Sequence, residues 1–253
     1  MSWAAGSLTP RPAAASTGAM LRAQTRAELT LSLRNGEQVL LTLIIPVGLL
    51  VVLTLVPFVS VAGRRVDFFV PGVLSLAIMS SAFTGQAIAT GFERQYGVLK
   101  RLGATPLPRA VLLAAKTLSV LLVELLQLLV ICAVGLALGW HPHGDATVVL
   151  PVLLGTFAFS GLGLLLGGTL RGLTTLAAAN LVWFVLLLLG GVVFPLSEYG
   201  AFADVLRYLP TAALSDGLRQ LLQHGQLIGR DLLSLAVWAA GSLAVAARVF
   251  RWE

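Results

Sequence analysis

Four polar residues interrupt the long apolar stretches of this sequence and are the first candidates for chemistry: Gln86, Glu124, Gln127 and Asn180. Glu124 is the one ionisable group well inside such a stretch. Gln127 follows three residues later, so a helix would place both side chains on one face. Ionisable groups within apolar helices often mark a substrate path. A neutral glutamic acid hydrogen bonded between helices explains the same residue, and the sequence leaves both interpretations open.

The sequence contains no motif for nucleotide hydrolysis or for metal catalysis. No glycine is followed directly by lysine, so a GxxxxGK[ST] phosphate loop is absent, as are HExxH, CxxC and GxSxG. His141, His143 and Asp145 could ligate a metal, but a turn at the membrane interface explains them equally well, because Pro and Gly lie among them. We therefore predict no catalytic site, no metal and no cofactor bound directly to this chain.

The composition is that of an integral membrane protein. Of the 253 residues, 57% are hydrophobic and 11% are charged, whereas a soluble domain carries about 25% charged residues. The single cysteine, Cys132, lies in an apolar run, which excludes a disulfide framework. The net charge of +6 does not indicate a nucleic-acid partner, because membrane topology explains where the cations lie.

Six segments with few or no charges are long enough to cross a bilayer, whose hydrocarbon core of about 30 Å requires about 20 helical residues. The predicted spans are approximately 38–61, 68–92, 110–138, 146–170, 174–195 and 230–248. The last of them is the weakest, because its uncharged run is the shortest. The sequence therefore predicts an all-α membrane protein with one membrane domain over 20–253.

The N-terminal region divides into two parts. Residues 1–19 are rich in Ala, Ser, Thr, Pro and Gly, which predicts a disordered cytoplasmic tail. Over 20–36, leucines alternate with Arg22, Arg26 and other charged residues, a pattern typical of an amphipathic helix on the membrane surface. A solvated helical lead-in to the first span is the alternative. Translation could also start at Met20, and the sequence does not decide between this residue and Met1.

The lysines and arginines predict the orientation, because they concentrate in cytoplasmic segments. With both termini in the cytoplasm, 12 of the 17 cations, Lys116 among them, fall on the cytoplasmic side and five on the outer side. The outer segment 195–230 is long, and Leu214, Leu218, Leu221 and Leu222 predict an amphipathic helix in it. Such a segment can dip into the outer leaflet in a re-entrant manner where protein covers its backbone.

Residues 93–109, here called the connector, form a long cation-rich interruption between the second and third predicted spans. The pattern predicts a short helix over 93–102 with an apolar side of Tyr96, Val98, Leu99 and Leu102. Its exposed side would carry Arg94, Lys100 and Arg101. Gly103 would stop this helix in a left-handed conformation. Thr105 would cap the next helix and Pro106 would lie in its first turn.

The connector resembles a cytoplasmic motif of ABC transporter permeases of the type-2 exporter class, a group that includes bacterial drug-efflux permeases. That motif has the form E-R-E-x-G-T-L-x-x-L-x-x-T-P-L. The matching residues here are Glu93, Arg94, Gly97, Leu99, Leu102, Thr105, Pro106 and Leu107. Gln95 and Val98 depart from the pattern, while the six spans and the long outer segment agree with the family.

The resemblance implies the transmembrane subunit of an ABC exporter, without its own ATPase site, in a bacterial cell membrane. It would move a lipophilic drug, lipid or glycan-type substrate outward, with a role in antibiotic resistance where the substrate is a drug. Its partners would be two copies of a separate ATPase subunit, which holds ATP and Mg, and a second permease, identical or paralogous. The residues implied in coupling to the ATPase are Glu93, Arg94, Gly97, Leu99, Leu102, Thr105 and Pro106. A secondary transporter or channel, and a membrane scaffold without transport, are the alternatives.

Overall fold

The computed structural model describes residues 14–57, 60–61 and 63–250, with the backbone alone at residues 37, 38 and 41. Within these ranges every regular element is helical, and there is no strand. The helices are α1 (Thr17–Arg34), α2 (Gly36–Leu55), α3 (Arg65–Ile78), α4 (Gln86–Gln95), α5 (Val98–Gly103), α6 (Arg109–Ala137), α7 (Val149–Thr169), α8 (Gly172–Leu189), α9 (Ala203–Leu206), α10 (Pro210–His224) and α11 (Gly229–Val249). A π-helical turn over Met79–Gly85 joins α3 to α4, and 3-10 turns cover Ala146–Val148 and Leu196–Phe202.

Five helical segments among the described residues are long and apolar enough to cross a membrane: Arg65–Gln95, Arg109–Ala137, Ala146–Thr169, Gly172–Leu189 and Gly229–Val249. The first predicted span, 38–61, corresponds to α2, whose apolar part is the shorter helix Thr42–Leu55. This helix ends just before Pro57, which restrains the preceding residue from helical geometry. The all-helical membrane fold is confirmed, whereas the sixth crossing stays a prediction.

The amphipathic lead-in predicted over 20–36 is the helix α1, which begins at Thr17 with Ser16 as its N-cap. Residues 1–13 of the predicted tail lie outside the described part of the chain. Leu31 and Leu33 are exposed on α1, and the membrane-surface helix and the solvated lead-in both stay predictions. The rest of α1 packs along α6.

The continuous helix formed by α3, the π-helical turn and α4 is the centre of the fold. In the most apolar 18-residue part of this helix 83% of the residues are buried, whereas the figure for the most apolar 18 residues of α6 is 22%. The helix α7 approaches it closely through two glycines. A Cβ on Gly163 would lie 2.7 Å from the Phe83 carbonyl oxygen, and one on Gly167 would lie 2.5 Å from the Ala87 carbonyl oxygen. Small residues therefore bring these two helix backbones together.

The outer segment contains the amphipathic helix that the sequence predicts. This helix is α10, and all four of its predicted apolar residues are buried: Leu214, Leu218, Leu221 and Leu222. Arg219 fixes α10 to its neighbours, because its Nη2 donates to the Gly191 carbonyl at 2.9 Å and its guanidinium lies 3.9 Å from the Phe68 ring centroid. Burial lowers the pKa of Arg219 to about 10, opposed by its ion pair with Asp216, so the side chain stays cationic at neutral pH.

Candidate functional site

The connector bends at Gly97, not at Gly103. Gly97 has a φ of 70°, in the left-handed region, and its N–H donates to the Arg94 carbonyl as α4 ends. The helix α5 then begins at Val98, while Gly103 belongs to α5 and has no positive φ. The predicted left-handed stop at Gly103 is therefore wrong. A glycine is required six residues earlier, where α4 must end before α5 can change direction.

Thr105 and Pro106 also have positions different from those predicted. The Thr105 hydroxyl donates to the Leu102 carbonyl at 2.6 Å, so it closes α5 and does not cap the next helix. The helix α6 begins at Arg109 after Pro108, whose extended backbone serves as the N-cap without a side-chain hydrogen bond. Pro108 explains the later start, because a proline disfavours helical geometry in the residue before it.

The predicted apolar side of the connector is divided between two faces. Leu99 is fully buried among Leu112, Leu164 and Phe250, and Leu102 packs partly against the same cluster. Tyr96, by contrast, is 66% exposed and Val98 is 39% exposed. Leu99 is thus a core residue that fixes α5 to the bundle. The outward surface includes Tyr96, Val98, Lys100, Arg101, Gly103 and the turn over 104–106.

Glu93 belongs to a charged cluster that joins three helices. Lys116 Nζ, on α6, lies 2.7 Å from Glu93 Oε2 on α4 and 3.0 Å from Glu28 Oε2 on α1. Lys116 is buried, although the topology prediction counts it among the cytoplasmic cations. Arg94 was predicted to be exposed but is partly buried. Its Nη1 donates to the Gly168 carbonyl near the end of α7 at 3.2 Å. The two charges that open the connector motif therefore hold helices together.

Glu124 is buried between α6 and α7, where it contacts Thr156. The Thr156 hydroxyl lies 2.6 Å from Glu124 Oε2 and 3.0 Å from the Val152 carbonyl, while Glu124 Oε1 has no partner among the described residues. A threonine hydroxyl carries one hydrogen. If that hydrogen goes to Val152, a protonated Glu124 completes the pair by donating to Thr156. The neutral, interhelical interpretation of Glu124 and its place on a substrate path both stay predictions.

The other three polar candidates differ in their surroundings. Gln127 Oε1 accepts from Ser81 at 2.7 Å, and its Nε2 donates to the Thr42 carbonyl at 2.7 Å. Gln86 is buried and its Oε1 accepts from Ser160 at 3.1 Å. Asn180 lies on the exposed side of α8 and donates to the Leu176 carbonyl of its own helix. The structure therefore separates Asn180 from the other three.

A cavity of about 200 Å³, here called the polar cavity, lies between α1, α2, the π-helical turn, α4 and α6. Glu28, Glu93 and Lys116 line one part of it, and Ser81, Gln86 and Thr90 line another. Glu124 and Asn180 do not line it. Of the predicted substrate-path residues, Gln86 lines the cavity directly, and Gln127 is connected to it through Ser81.

Comparison with known proteins places this bundle in a transporter family. Residues 62–248 match the family described as "ABC-2 family transporter protein", which is well over half of the chain. The chain belongs to the ABC-2 transporter family. It is also 25% identical over 233 residues, 87% of this chain and 92% of the relative, to the Bacillus subtilis protein named "Putative transport permease YvfS".

Membership of the ABC-2 family confirms the predicted resemblance to type-2 ABC permeases. It indicates a multi-pass membrane protein that serves as the transmembrane subunit of an ABC transporter, and it implies an ABC ATPase as partner in general. The family match covers the connector, the π-helical turn and the outer segment, all of which lie within 62–248. The helix α1, with Glu28, precedes the matched region.

Two features of this ABC-2 chain were missed by sequence reasoning. The π-helical turn brings Ser80 to the indole of Trp183, whose Nε1 donates to Ser80 Oγ at 2.9 Å, and Ser81 to Gln127. π-helical turns are frequent at functional sites, but no local pattern in the sequence predicts the one over Met79–Gly85. The Lys116 cluster had a detectable signal, because a lysine seven residues inside α6 requires a carboxylate partner when buried.

Proposed function

We propose that this ABC-2 chain is the permease subunit of an ATP-driven exporter. It moves a lipophilic drug, lipid or glycan-type molecule out of the cytoplasm or the inner leaflet of a bacterial cell membrane. The energy comes from a separate ATPase subunit, present in two copies, that binds ATP and Mg. A second permease, identical or paralogous, completes the complex, and both termini of this chain are cytoplasmic.

The observation that carries this proposal is that the connector is packed and ion-paired against the helix bundle. Its outer surface is exposed, whereas Leu99 is buried in the bundle and Glu93 is ion-paired to Lys116. A force applied to α5 by an ATPase would therefore reach α4 and α6 together. Nucleotide-driven closure of the ATPases can then shift the permease between inward- and outward-facing states, provided that the ATPases bind the two states with different affinity.

A docking variant tests this role of the connector. Val98→Asp places a charge on the outward surface of the connector, to which Tyr96 also belongs, and Val98 is not part of the buried core clusters. We expect co-purification with the partner ABC ATPase to weaken by about tenfold or more, which corresponds to about 1.4 kcal/mol of binding free energy. Val205→Asp is the matched control, because Val205 is exposed in the outer segment.

Three outcomes separate the candidate functions. If Val98→Asp loses ATPase binding and export while Val205→Asp keeps both, the ABC permease is supported. Export that continues without any ATPase and follows an ion gradient would identify a secondary transporter or channel. A chain that binds no ATPase and moves no substrate would be a scaffold.

A further inference from the structure

The polar cavity carries a charge that the proposed export function does not by itself explain. We propose that this cavity binds the ammonium head of a small amphipathic cation and that its apolar wall holds the attached hydrocarbon. All residues that line the cavity belong to this chain, so the binding of the ligand does not require the ATPase or a second permease. Its assignment as a transport site rests on the proposed function and would name the charge class of the substrate.

The charges that line the cavity do not balance. Glu28 and Glu93 contribute two carboxylates, and Lys116 contributes one ammonium group, which lies between them. No other charged side chain among the described residues lines the cavity. The cluster therefore has a net charge of one negative unit when all three groups are ionised. A partly buried anion without full compensation is costly, and a bound monocation would neutralise it.

Two buried polar groups in the cavity wall have no partner among the described residues. They are Nε2 of Gln86 and Oγ1 of Thr90, whose side chains are 4% and 0% exposed. Buried polar atoms are nearly always hydrogen bonded, so these two need a partner that the described residues do not supply. Thr90 Oγ1 can accept from an ammonium group. The Gln86 amide can do the same if it turns over, because Ser160 Oγ can then accept from Nε2 and Oε1 takes the place of the unpartnered nitrogen.

The shape and the remaining wall define the rest of the ligand. Leu31, Val39, Val120 and Val123 supply apolar surface from three helices. The volume of about 200 Å³ exceeds the roughly 150 Å³ that is sufficient to hold benzene. The cavity therefore accommodates one aromatic ring or a short alkyl chain beside the ammonium head, while a larger ligand could extend into the lipid.

A matched series of ligands tests the charge preference of the cavity. Phenylbutylamine, phenylbutanol and phenylbutyrate share one hydrocarbon and differ in the charge of the head at neutral pH. We expect calorimetric titration of the purified chain in lipid nanodiscs to give a Kd for the amine about tenfold lower than for the alcohol. The butyrate should bind more weakly than the alcohol.

Variants assign the preference to the cavity. Glu28→Gln and Glu93→Gln each remove the net charge but leave Lys116 one carboxylate partner. Each should reduce the amine-to-alcohol preference by about tenfold while the affinity for the alcohol stays unchanged. Glu198→Gln, at an exposed site in the outer segment, should keep the preference. Thr90→Val keeps every charge and should weaken the amine severalfold, which provides a test if a glutamate variant fails to fold.

Equal binding of the three ligands would overturn the proposal, as would an amine preference that survives both glutamate substitutions and Thr90→Val. These measurements need neither ATP nor the ATPase, so their failure is distinct from failure of the export function. Binding of the amine with no ATP-dependent transport of it would leave the cavity site intact and contradict its role as the transport site.

Discussion

Lys116 joins the helix α1 to α4 and α6 through two ion pairs. Its ammonium group has two carboxylate partners on two other helices, within 3.0 Å of Glu28 and 2.7 Å of Glu93. Lys116→Met would leave both carboxylates without a cation in a largely buried site. We expect the free energy of unfolding to fall by about 3 kcal/mol, measured by denaturant titration of the purified protein in detergent.

The control for this substitution is the triple variant Lys116→Met, Glu28→Gln, Glu93→Gln. It removes every charge of the cluster at once and keeps the shape of the side chains. Replacing a whole buried ion cluster is often nearly neutral, whereas removing one partner is not. The triple variant should therefore recover most of the lost stability. If it is as unstable as Lys116→Met, the loss comes from packing and the electrostatic explanation fails.

Glu124 and Thr156 allow a second prediction at the scale of single residues. Thr156→Val removes the one partner that the described residues give to the buried Glu124 carboxyl, and it should cost about 1–3 kcal/mol. Glu124→Gln keeps a donor and an acceptor at the same place, so its stability should lie within about 1 kcal/mol of the parent. Thermal unfolding compares the two variants. Retained export in Glu124→Gln would confirm a structural role, whereas lost export in a stable protein would place Glu124 on the substrate path.

At the scale of the element, the connector depends on one backbone conformation. Gly97 has a φ of 70° with open space around its Cα, so Gly97→Ala brings backbone strain without a clash. This change should cost about 1 kcal/mol or more. Gly103→Ala is the matched control, because Gly103 lies in α5, where alanine should stabilise by about 0.5–1 kcal/mol. Equal effects on the unfolding temperature would contradict the assignment of the bend to Gly97.

The elements differ in how far the sequence predicts them. The span predicted over 110–138 is the helix Arg109–Ala137, and the span predicted over 230–248 is Gly229–Val249. Such agreement follows from hydropathy, because a bilayer requires long apolar helices whatever they pack against. The sequence predicts the left-handed stop at Gly103 and not at Gly97, because a glycine at either position can end a helix. Burial of Leu99 among α6, α7 and α11 decides where the chain turns.

The site was predicted less completely than the spans, for a related reason. Glu93 was recognised from its place in the connector motif, but its partner Lys116 lies 23 residues further on and Glu28 lies on another helix. Ion pairs and cavities between helices arise from packing, which the periodicity of a single segment does not encode. The polar cavity therefore cannot be predicted from the sequence, although Gln86, which lines it, is one of the predicted substrate-path residues.

For the whole molecule, the packing of α7 against the central helix leaves no room for a side chain at Gly163 or Gly167. Gly163→Ala would place a methyl group 2.7 Å from the Phe83 carbonyl oxygen and 2.8 Å from the Ala82 carbonyl oxygen. Backbone atoms cannot move aside as a side chain can, so we expect a loss of about 1–3 kcal/mol. Gly241→Ala on α11 meets no atom within 4 Å and should be neutral or stabilising. Denaturant unfolding in detergent distinguishes the pair.

The orientation of the whole chain decides whether an ATPase can reach the connector, and cysteine labelling tests it. In a Cys132→Ala background, Arg34→Cys, Ser60→Cys and Lys100→Cys place single thiols at exposed positions before α2, after α2 and on α5. With both termini cytoplasmic and α2 crossing the bilayer, a membrane-impermeant maleimide should label intact cells at position 60 alone. All three should react once detergent opens the membrane. Labelling of Lys100→Cys in intact cells would put the connector outside and end its proposed role. If Ser60→Cys and Arg34→Cys are both unreactive until the membrane is opened, α2 does not cross and the chain has five spans.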